Sequence, residues 1–542
     1  MAFAGTPPGE IIDSLIDTPT NYTASSGNNG GNYATLNPLN THTSNNSLTN
    51  GNLEFTTSGS DGCLQESTIG VSSGKFYFEV VYSAGDAGKF AGIRKPGSRN
   101  YNNSYIYTGT ANKYTNGGSG AGYGASLANG DVIGTAFDAD NGTLTFYKNG
   151  VSQGQAFSGI SGTYSFFVGS FGGPPSGVVN FGQRPFAYTP PTGYVSLCTT
   201  NLSDPTIADG STAFDAVLYT GNGTSQTISG LGFSPDWVWT KLRSAGFGHR
   251  VWDTVRGATK RLEPHASTAE VTESTALTAF TSDGFSVGSE ANVNTTYLGG
   301  KFVAWCWDAG SSTVSNTDGS ITSNVRASAS NGFSIVSYTG TGANATVGHG
   351  LNVAPEFIIV KMRSSAGYDW CVYHVGLTSA AYSLALYSTS AQENNPPTWN
   401  STAPTNSVFS IGTRGSVSNN GSTFIAYCFA PVAGYSAFGS YTGNGSTNGP
   451  FVYTGMRPRW IMIKSSSATG NWAIYDTERD TDNAATQELY ADTSGTENNS
   501  GPTDILSNGF KLRNTHGHLN VSGVSYIWAA FSEHPFKTAR AR

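Results

Sequence analysis

The chain has 542 residues, a formal net charge of −7 and only 12% charged residues, with 69 glycines. That length sets an expectation of three to five domains, and the charge balance offers no broad basic field for nucleic acid. No apolar run reaches the roughly 18 residues of a spanning helix, and residues 1–20 lack the basic start and apolar stretch of a signal peptide, so the expectation is a chain made in a cytoplasm with no membrane insertion.

The five cysteines, Cys63, Cys198, Cys306, Cys371 and Cys428, are odd in number and form no CxxC pair. Neither a disulfide framework nor a zinc site is expected, and no cofactor is implied.

Residues 1–33 read as an N-terminal arm, with Pro7-Pro8, the run Ser25 to Gly31, and only Ile11, Ile12, Leu15 and Ile16 to bury. Such a segment cannot fold alone. Its apolar residues stand at near-helical spacing, suited to docking on a partner.

From 34 to 200, short aromatic strands alternate with Gly and Asn turns. Along Gly74 to Val80, Phe76, Phe78 and Val80 share one face of a strand while Tyr77 and Glu79 share the other. Asp140-Asn141-Gly142 and Lys148-Asn149-Gly150 supply residues that tolerate positive φ, which places Phe146 and Tyr147 on the second arm of a hairpin. Three segments in this order, Gly74–Val80, Gly130–Asp138 and Gly142–Gly150, resemble the signature strands of a SPRY domain. The flanks Asn37-Pro38-Leu39 and Asn180 to Phe186 resemble the versions found in phage structural proteins. The resemblance implies a concanavalin-like antiparallel β-sandwich that binds ligands through loops at one end, and it implies no enzymatic activity. Within it, Tyr107 and Tyr114 read as packing residues. Tyr101, Asn102, Asn103 and Tyr105 are the loop candidates for a sugar, whose C–H faces suit aromatic rings and whose hydroxyls suit amides.

After a polar linker at 201–212, three repeats are expected at 213–310, 332–433 and 436–537. Each opens on Tyr-Thr-Gly-x-Gly, at Tyr219, Tyr338 and Tyr441. A Pro-led aromatic strand ending in Lys241, Lys361 or Lys464 follows, and strands around Ala304, Ala426 and Trp528 close the units. The spacing is long enough for each copy to own a core, so the expectation is tandem β-sandwich-like domains joined by Ser- and Asn-rich spacers such as Ser311 to Ser330. The repeats are similar to β-modules appended to SPRY domains in phage tail fibre or virion proteins.

A middle strand ends at Asp253, His374 and Asp476. One acid per repeat, replaced by His in the second, gives no carboxylate pair, and a turn or strand-end role is expected. His516 and His518 would share a face if the segment were a strand, and as a weak alternative could hold an octahedral metal on the axis of a trimeric fibre. No Gly-x-Ser-x-Gly elbow, phosphate loop or HExxH occurs. The first functional expectation is a non-enzymatic bacteriophage virion structural protein, a tail fibre or receptor-binding appendage recognising a host cell-surface glycan. It would be a homo-oligomer with a trimer preferred, joined to tail or capsid proteins through the N-terminal arm and released with the virion by lysis. A capsid decoration or head-fibre protein is the alternative, and a tailspike-like glycan depolymerase the third.

Overall fold

The computed structural model describes residues 32–40, 46–57, 64–98, 101 and 103–539. Nearly all of the N-terminal arm, Cys63 and Asn102 lie outside the described residues. Strand accounts for 46% of the chain and helix for 4%, so the fold is all-β as expected. The chain forms two compact units, 1–204 with 537–541, and 205–536.

The first unit is a sandwich. One sheet runs Asn46–Thr49, Glu54–Thr57, Ser176–Asn180, Lys75–Ala84, Val132–Asp138, Thr143–Lys148 and Val151–Phe157, with Val195–Ser196 added parallel to Lys75–Ala84. The facing sheet runs Leu64–Val71, Tyr164–Ser170, Lys89–Arg94, Ser104–Thr108, Asn112–Thr115 and Ala121–Gly122. The alternation in Lys75–Ala84 sorts its aromatics as expected: Phe78 meets Phe166 of the facing sheet at 4.5 Å, while Tyr77 packs outward on Phe186 at 5.0 Å. Asn149 and Gly150, at φ 49° and 77°, make the tight turn between Thr143–Lys148 and Val151–Phe157.

The second unit contains the three repeats. Each builds a main sheet in the order opening strand, closing strand, Pro-led strand, middle strand. In the first repeat these are Phe214–Thr220, Lys301–Trp307, Trp237–Leu242 and Arg250–Asp253. In the second they are Phe333–Thr339, Thr423–Phe429, Phe357–Met362 and Trp370–His374, and in the third Ser436–Thr442, Ser525–Pro535, Met456–Ser465 and Trp472–Asp476. A small sheet covers one face of the main sheet in the first two repeats, and in the third the main sheet itself runs on through Ala485–Tyr490, Asn498–Leu506, Gly509–Leu512 and Phe451–Tyr453; the Pro-led strands divide their side chains accordingly. Val238, Ile358 and Ile461 enter three separate cores. Trp237, Trp239, Phe357, Ile359, Trp460 and Met462 enter one core that all three repeats share, together with Trp305, Trp307, Phe429 and Phe531. Trp237 stacks on Tyr427 at 4.5 Å and Trp307 meets Phe531 at 5.6 Å, each pair joining two repeats.

Each repeat thus owns a core, as expected, but the three also share a fourth, so they are not independent beads on a string. A sheet buried on both faces reads as a continuous apolar run, and its second face here belongs to a common interior. The aromatic faces of the three main sheets are therefore covered within one chain. The spacer Ser311 to Ser330 is also largely structured: Thr313–Asn316 and Ser323–Ser328 form a hairpin that extends the second repeat's sheet.

The repeated Tyr-Thr-Gly-x-Gly has a local cause. Tyr219, Tyr338 and Tyr441 stack on Phe302, Phe424 and Tyr526 at 4.9, 5.1 and 5.0 Å. Their hydroxyls donate to the carbonyls of Val293, Val417 and Leu519. A Cβ on Gly221, Gly340 or Gly443 would collide with the carbonyls of Thr295, Asn419 or Val521. The second glycine of each turn, Gly223, Gly342 or Gly445, takes φ of 73°, 73° or 66°, which glycine adopts at least cost.

Candidate functional site

The middle-strand position expected to end a strand also ties the repeats together. Asp253 is fully buried against Arg256 at 2.5 Å and accepts from the hydroxyl of Tyr427, in the second repeat, at 2.7 Å. Asp476 is buried against Arg479 at 2.5 Å and accepts from Trp305, in the first repeat, at 2.9 Å. His374 meets the carbonyl of Trp528, in the third repeat, at 3.0 Å, while its Nδ1 accepts from Gly376 N–H. Nδ1 is thus the acceptor and Nε2 carries the proton, in keeping with burial that pushes this imidazole down to about 4. The replacement of Asp by His follows from the partner: Ala529 stands where Tyr427 and Trp305 stand, and only a backbone carbonyl is on offer, which needs a donor. The three contacts run first repeat to second, second to third and third to first, closing a ring.

The ring is reinforced beside it. Arg256 reaches Glu270, which pairs with Arg363 of the second repeat at 2.8 Å. Arg479 reaches Glu497, which pairs with Arg243 of the first repeat at 2.8 Å. The remaining seam carries Leu377, Gln392 and Ser466, joined through Gln392 N–H to Ser466 O at 2.8 Å. Lys241, Lys361 and Lys464 are buried, and each places its ammonium on carbonyls that include one from a neighbouring repeat, Ser494, Ser267 or Thr389. Burial pushes Lys241 down to about 7 and Lys361 and Lys464 to about 8.

In the sandwich, the structure separates the loop candidates. Tyr105 lies in Ser104–Thr108 and turns inward, its ring against Phe157 and Tyr164 at 5.1 and 5.7 Å. Tyr101 lies on the opposite face, against Phe90 and Phe171 at 5.8 and 4.7 Å, with its hydroxyl on Ser170 O at 3.0 Å. Asn103 is exposed with φ 58°. Tyr114 also packs on Phe171, at 5.2 Å. Sequence reasoning missed Phe171, which is 41% exposed and forms the centre of this outer aromatic patch. Its position just past Tyr164–Ser170, in a Gly-rich turn, is the one signal that could have found it.

His516 and His518 lie in a turn, not the strand assumed for them. Their rings are 5.7 Å apart, but His518 Nε2 is 2.9 Å from the buried carboxylate of Glu488, and Tyr490 is its other neighbour. No group of three metal-ligating residues occurs among the described residues.

The second repeat contains a cavity of about 390 Å³ that the sequence did not disclose. Arg414 pairs there with Asp369 at 2.6 Å and with Glu393 at 3.3 Å. The hydroxyl of Tyr387 donates to Asp369 at 2.6 Å, and that hydrogen bond, with burial second, pushes the phenol up to about 12. Ser383, Ser388 and Ser390 add hydroxyls to the wall, and Leu384 and Ala385 an apolar strip.

A sandwich of this topology is matched by the SPRY domain family over residues 65–184. The dual specificity protein kinase splA of Dictyostelium discoideum is 37% identical over 143 residues, 24% of this chain and 6% of the kinase. The probable ATP-dependent RNA helicase ddx1 of the same organism is 32% identical over 132 residues, covering 24% and 17%. Protein ssh4 of Sclerotinia sclerotiorum is 30% identical over 161 residues, covering 29% and 30%. The chain thus spans less than a third of the length of these relatives. Among solved structures, the SPRY domain of human HERC1 matches 27% of this chain and 95% of its own at 20% identity, with a TM-score of 0.24. The protein is accordingly an all-β chain bearing a SPRY domain. Its three-repeat unit is matched from 209 to 535 by a family described as a domain of unknown function (DUF7483), and by that match, over more than half its length, the chain belongs to this family.

Proposed function

We propose that the protein is a non-catalytic receptor-binding component of a bacteriophage virion, which holds a host cell-surface glycan through its SPRY sandwich. The observation that carries this reading is the outer patch in which Tyr101 and Tyr114 flank the exposed ring of Phe171. Partly exposed aromatic rings beside small polar residues suit the C–H faces and hydroxyls of a sugar. The virion setting rests on the flanks that resemble phage structural proteins, together with the low charge and absence of a cysteine framework. Several copies on one particle would multiply weak contacts into firm adhesion. In this reading the N-terminal arm joins tail or capsid proteins, and the three-repeat unit is the rigid body of the appendage.

Purified full-length protein is incubated with host envelope polysaccharide while retention and new reducing ends are followed. Retention without new ends, weakened by Phe171→Ala, is expected. Steady release of oligosaccharide would make the protein a depolymerase, and no retention on any host surface would favour the capsid decoration role.

A further inference from the structure

The three repeats are copies of one fold, so each serves as a control for the others. Ala385 pairs with Cys371 in the second repeat as Tyr490 pairs with Ala473 in the third. Leu386 N–H then bonds to Trp370 O as Ala491 N–H bonds to Trp472 O, which fixes the alignment: Ser383 corresponds to Glu488 and Ala385 to Tyr490. The loops that follow align as well. The Arg414 carbonyl accepts from the N–H groups three and four residues on, and the His516 carbonyl does the same, so Ser416 corresponds to His518.

In the third repeat these positions form a filled polar cluster. The rings of Tyr490 and His518 meet at 5.3 Å, and both side chains bond to Glu488. The second repeat has Ser, Ala and Ser instead. Two of these small residues, Ser383 and Ala385, line the cavity of about 390 Å³ at the positions where the third repeat carries Glu488 and Tyr490. That volume lies near the lower end of the roughly 300–1,000 Å³ of small-molecule sites. The cavity opens to solvent past Ser390 and the 60% exposed side chain of Glu393, so a ligand can reach it, and the small residues Ser383 and Ala385 leave it room.

We propose that this cavity in the second repeat is a binding site for a neutral, hydroxyl-rich ligand of the size of a sugar unit. Asp369 and Glu393 against Arg414 leave one net negative charge, which disfavours phosphates and carboxylates. An ammonium ligand would have to displace Arg414 from carboxylates it already occupies. A sugar hydroxyl both donates and accepts, so it can use the remaining lone pairs on Asp369 and the guanidinium edge of Arg414 together. The apolar strip at Leu384 and Ala385 suits the ring's C–H face. The site lies outside the SPRY sandwich and rests on the glycan-binding reading only for the choice of probes.

Saturation-transfer NMR on the full chain, with the methyl glycosides of glucose, galactose and N-acetylglucosamine as probes, tests the assignment. Ala385→Tyr restores the ring found in the third repeat. The Ala385 carbonyl already accepts from Trp472, as the Tyr490 carbonyl meets His249, so the larger residue has a precedent for its backbone. Transfer to at least one probe is expected in the wild type and in Phe171→Ala, and its loss in Ala385→Tyr. Should that variant fail to fold by tryptophan fluorescence, Ala385→Leu carries the same test. No transfer with any probe, or transfer unchanged in the folded filled variant, overturns the proposal. Transfer that persists while the wild type fails to bind host polysaccharide would remove the adhesin reading and leave this site standing.

Discussion

Removing the carboxylate of Asp253 should destabilise all three repeats together. Asp253 and Arg256 are both fully buried and 2.5 Å apart, and Asp253 also holds the hydroxyl of Tyr427. Asp253→Ala leaves the guanidinium with only the more distant Glu270, at 3.4 Å, as a charged partner. Breaking one side of a buried ion pair costs about 3–5 kcal/mol. With a urea dependence of about 3 kcal/mol per molar, the midpoint should fall by about 1–1.7 M. The double variant Asp253→Ala/Arg256→Leu removes the stranded charge and installs the leucine that the second repeat carries at Leu377, so it should recover much of the loss. The readout is specific, because all 10 tryptophans of the chain lie between Trp237 and Trp528, inside the three-repeat unit. Fluorescence-monitored urea titrations should give one transition for each variant. A single variant within about 0.5 kcal/mol of wild type would refute the seam's role, as would a double variant no better than the single. Three separable transitions would refute the shared core.

The buried lysines set a pH dependence. Lys241 falls from 10.5 to about 7 and Lys361 and Lys464 to about 8, so between those values and 10.5 the unfolded chain binds more protons and stability rises with pH. The lysine contribution is most favourable above the unfolded value and is lost as pH falls through the folded ones. The urea midpoint should therefore rise between about pH 7 and pH 8.5, and Lys241→Met should raise it at pH 7 and flatten the slope; a midpoint that falls over this interval contradicts the assignment. Gly443→Ala, whose Cβ would strike the Val521 carbonyl, should cost about 1–3 kcal/mol by urea titration, whereas Gly517→Ala, with open space around it, should stay within about 0.5 kcal/mol. His374→Asp would face a carboxylate to the Trp528 carbonyl with Leu377 in place of an arginine, and should lower the midpoint by at least as much as Asp253→Ala.

Much of the fold was legible in the sequence because strand alternation and turn chemistry are local. The pattern Phe76, Phe78, Val80 against Tyr77, Glu79 and the turn at Asn149-Gly150 needed no information beyond their own segments. The sharing of a core was not legible. Trp237-Val238-Trp239 shows that both faces of a strand are apolar, yet it does not say whether the second face meets its own small sheet or another repeat. The candidate sites fared according to the same distinction. Tyr101 and Tyr105 look alike in sequence, and only the strand boundary at Ser104 sends one outward and the other inward. The cavity is absent from any single segment, since Asp369, Tyr387 and Arg414 come from three separate stretches. Its trace lies in a comparison between copies, where Ser383 and Ala385 stand against Glu488 and Tyr490.

The same comparison explains why the repeats differ where they do. At two seams four charged positions run in series, Asp253, Arg256, Glu270 and Arg363 at one, and Asp476, Arg479, Glu497 and Arg243 at the other. At the third the corresponding residues are His374, Leu377, Gln392 and Ser466, all neutral. A mixed set would bury an unpaired charge, at a cost of several kcal/mol, so the four positions are constrained to change together. The difference centres on Ala529, which offers neither the hydroxyl of Tyr427 nor the indole N–H of Trp305 and so would leave a carboxylate without its donor. A neutral imidazole donating to the Trp528 carbonyl satisfies the seam instead, and the arginine, glutamate and second arginine then have nothing to balance. Divergence among the copies is therefore ordered by hydrogen-bond polarity at a single contact. It keeps the ring closed with a neutral contact in place of a charged one.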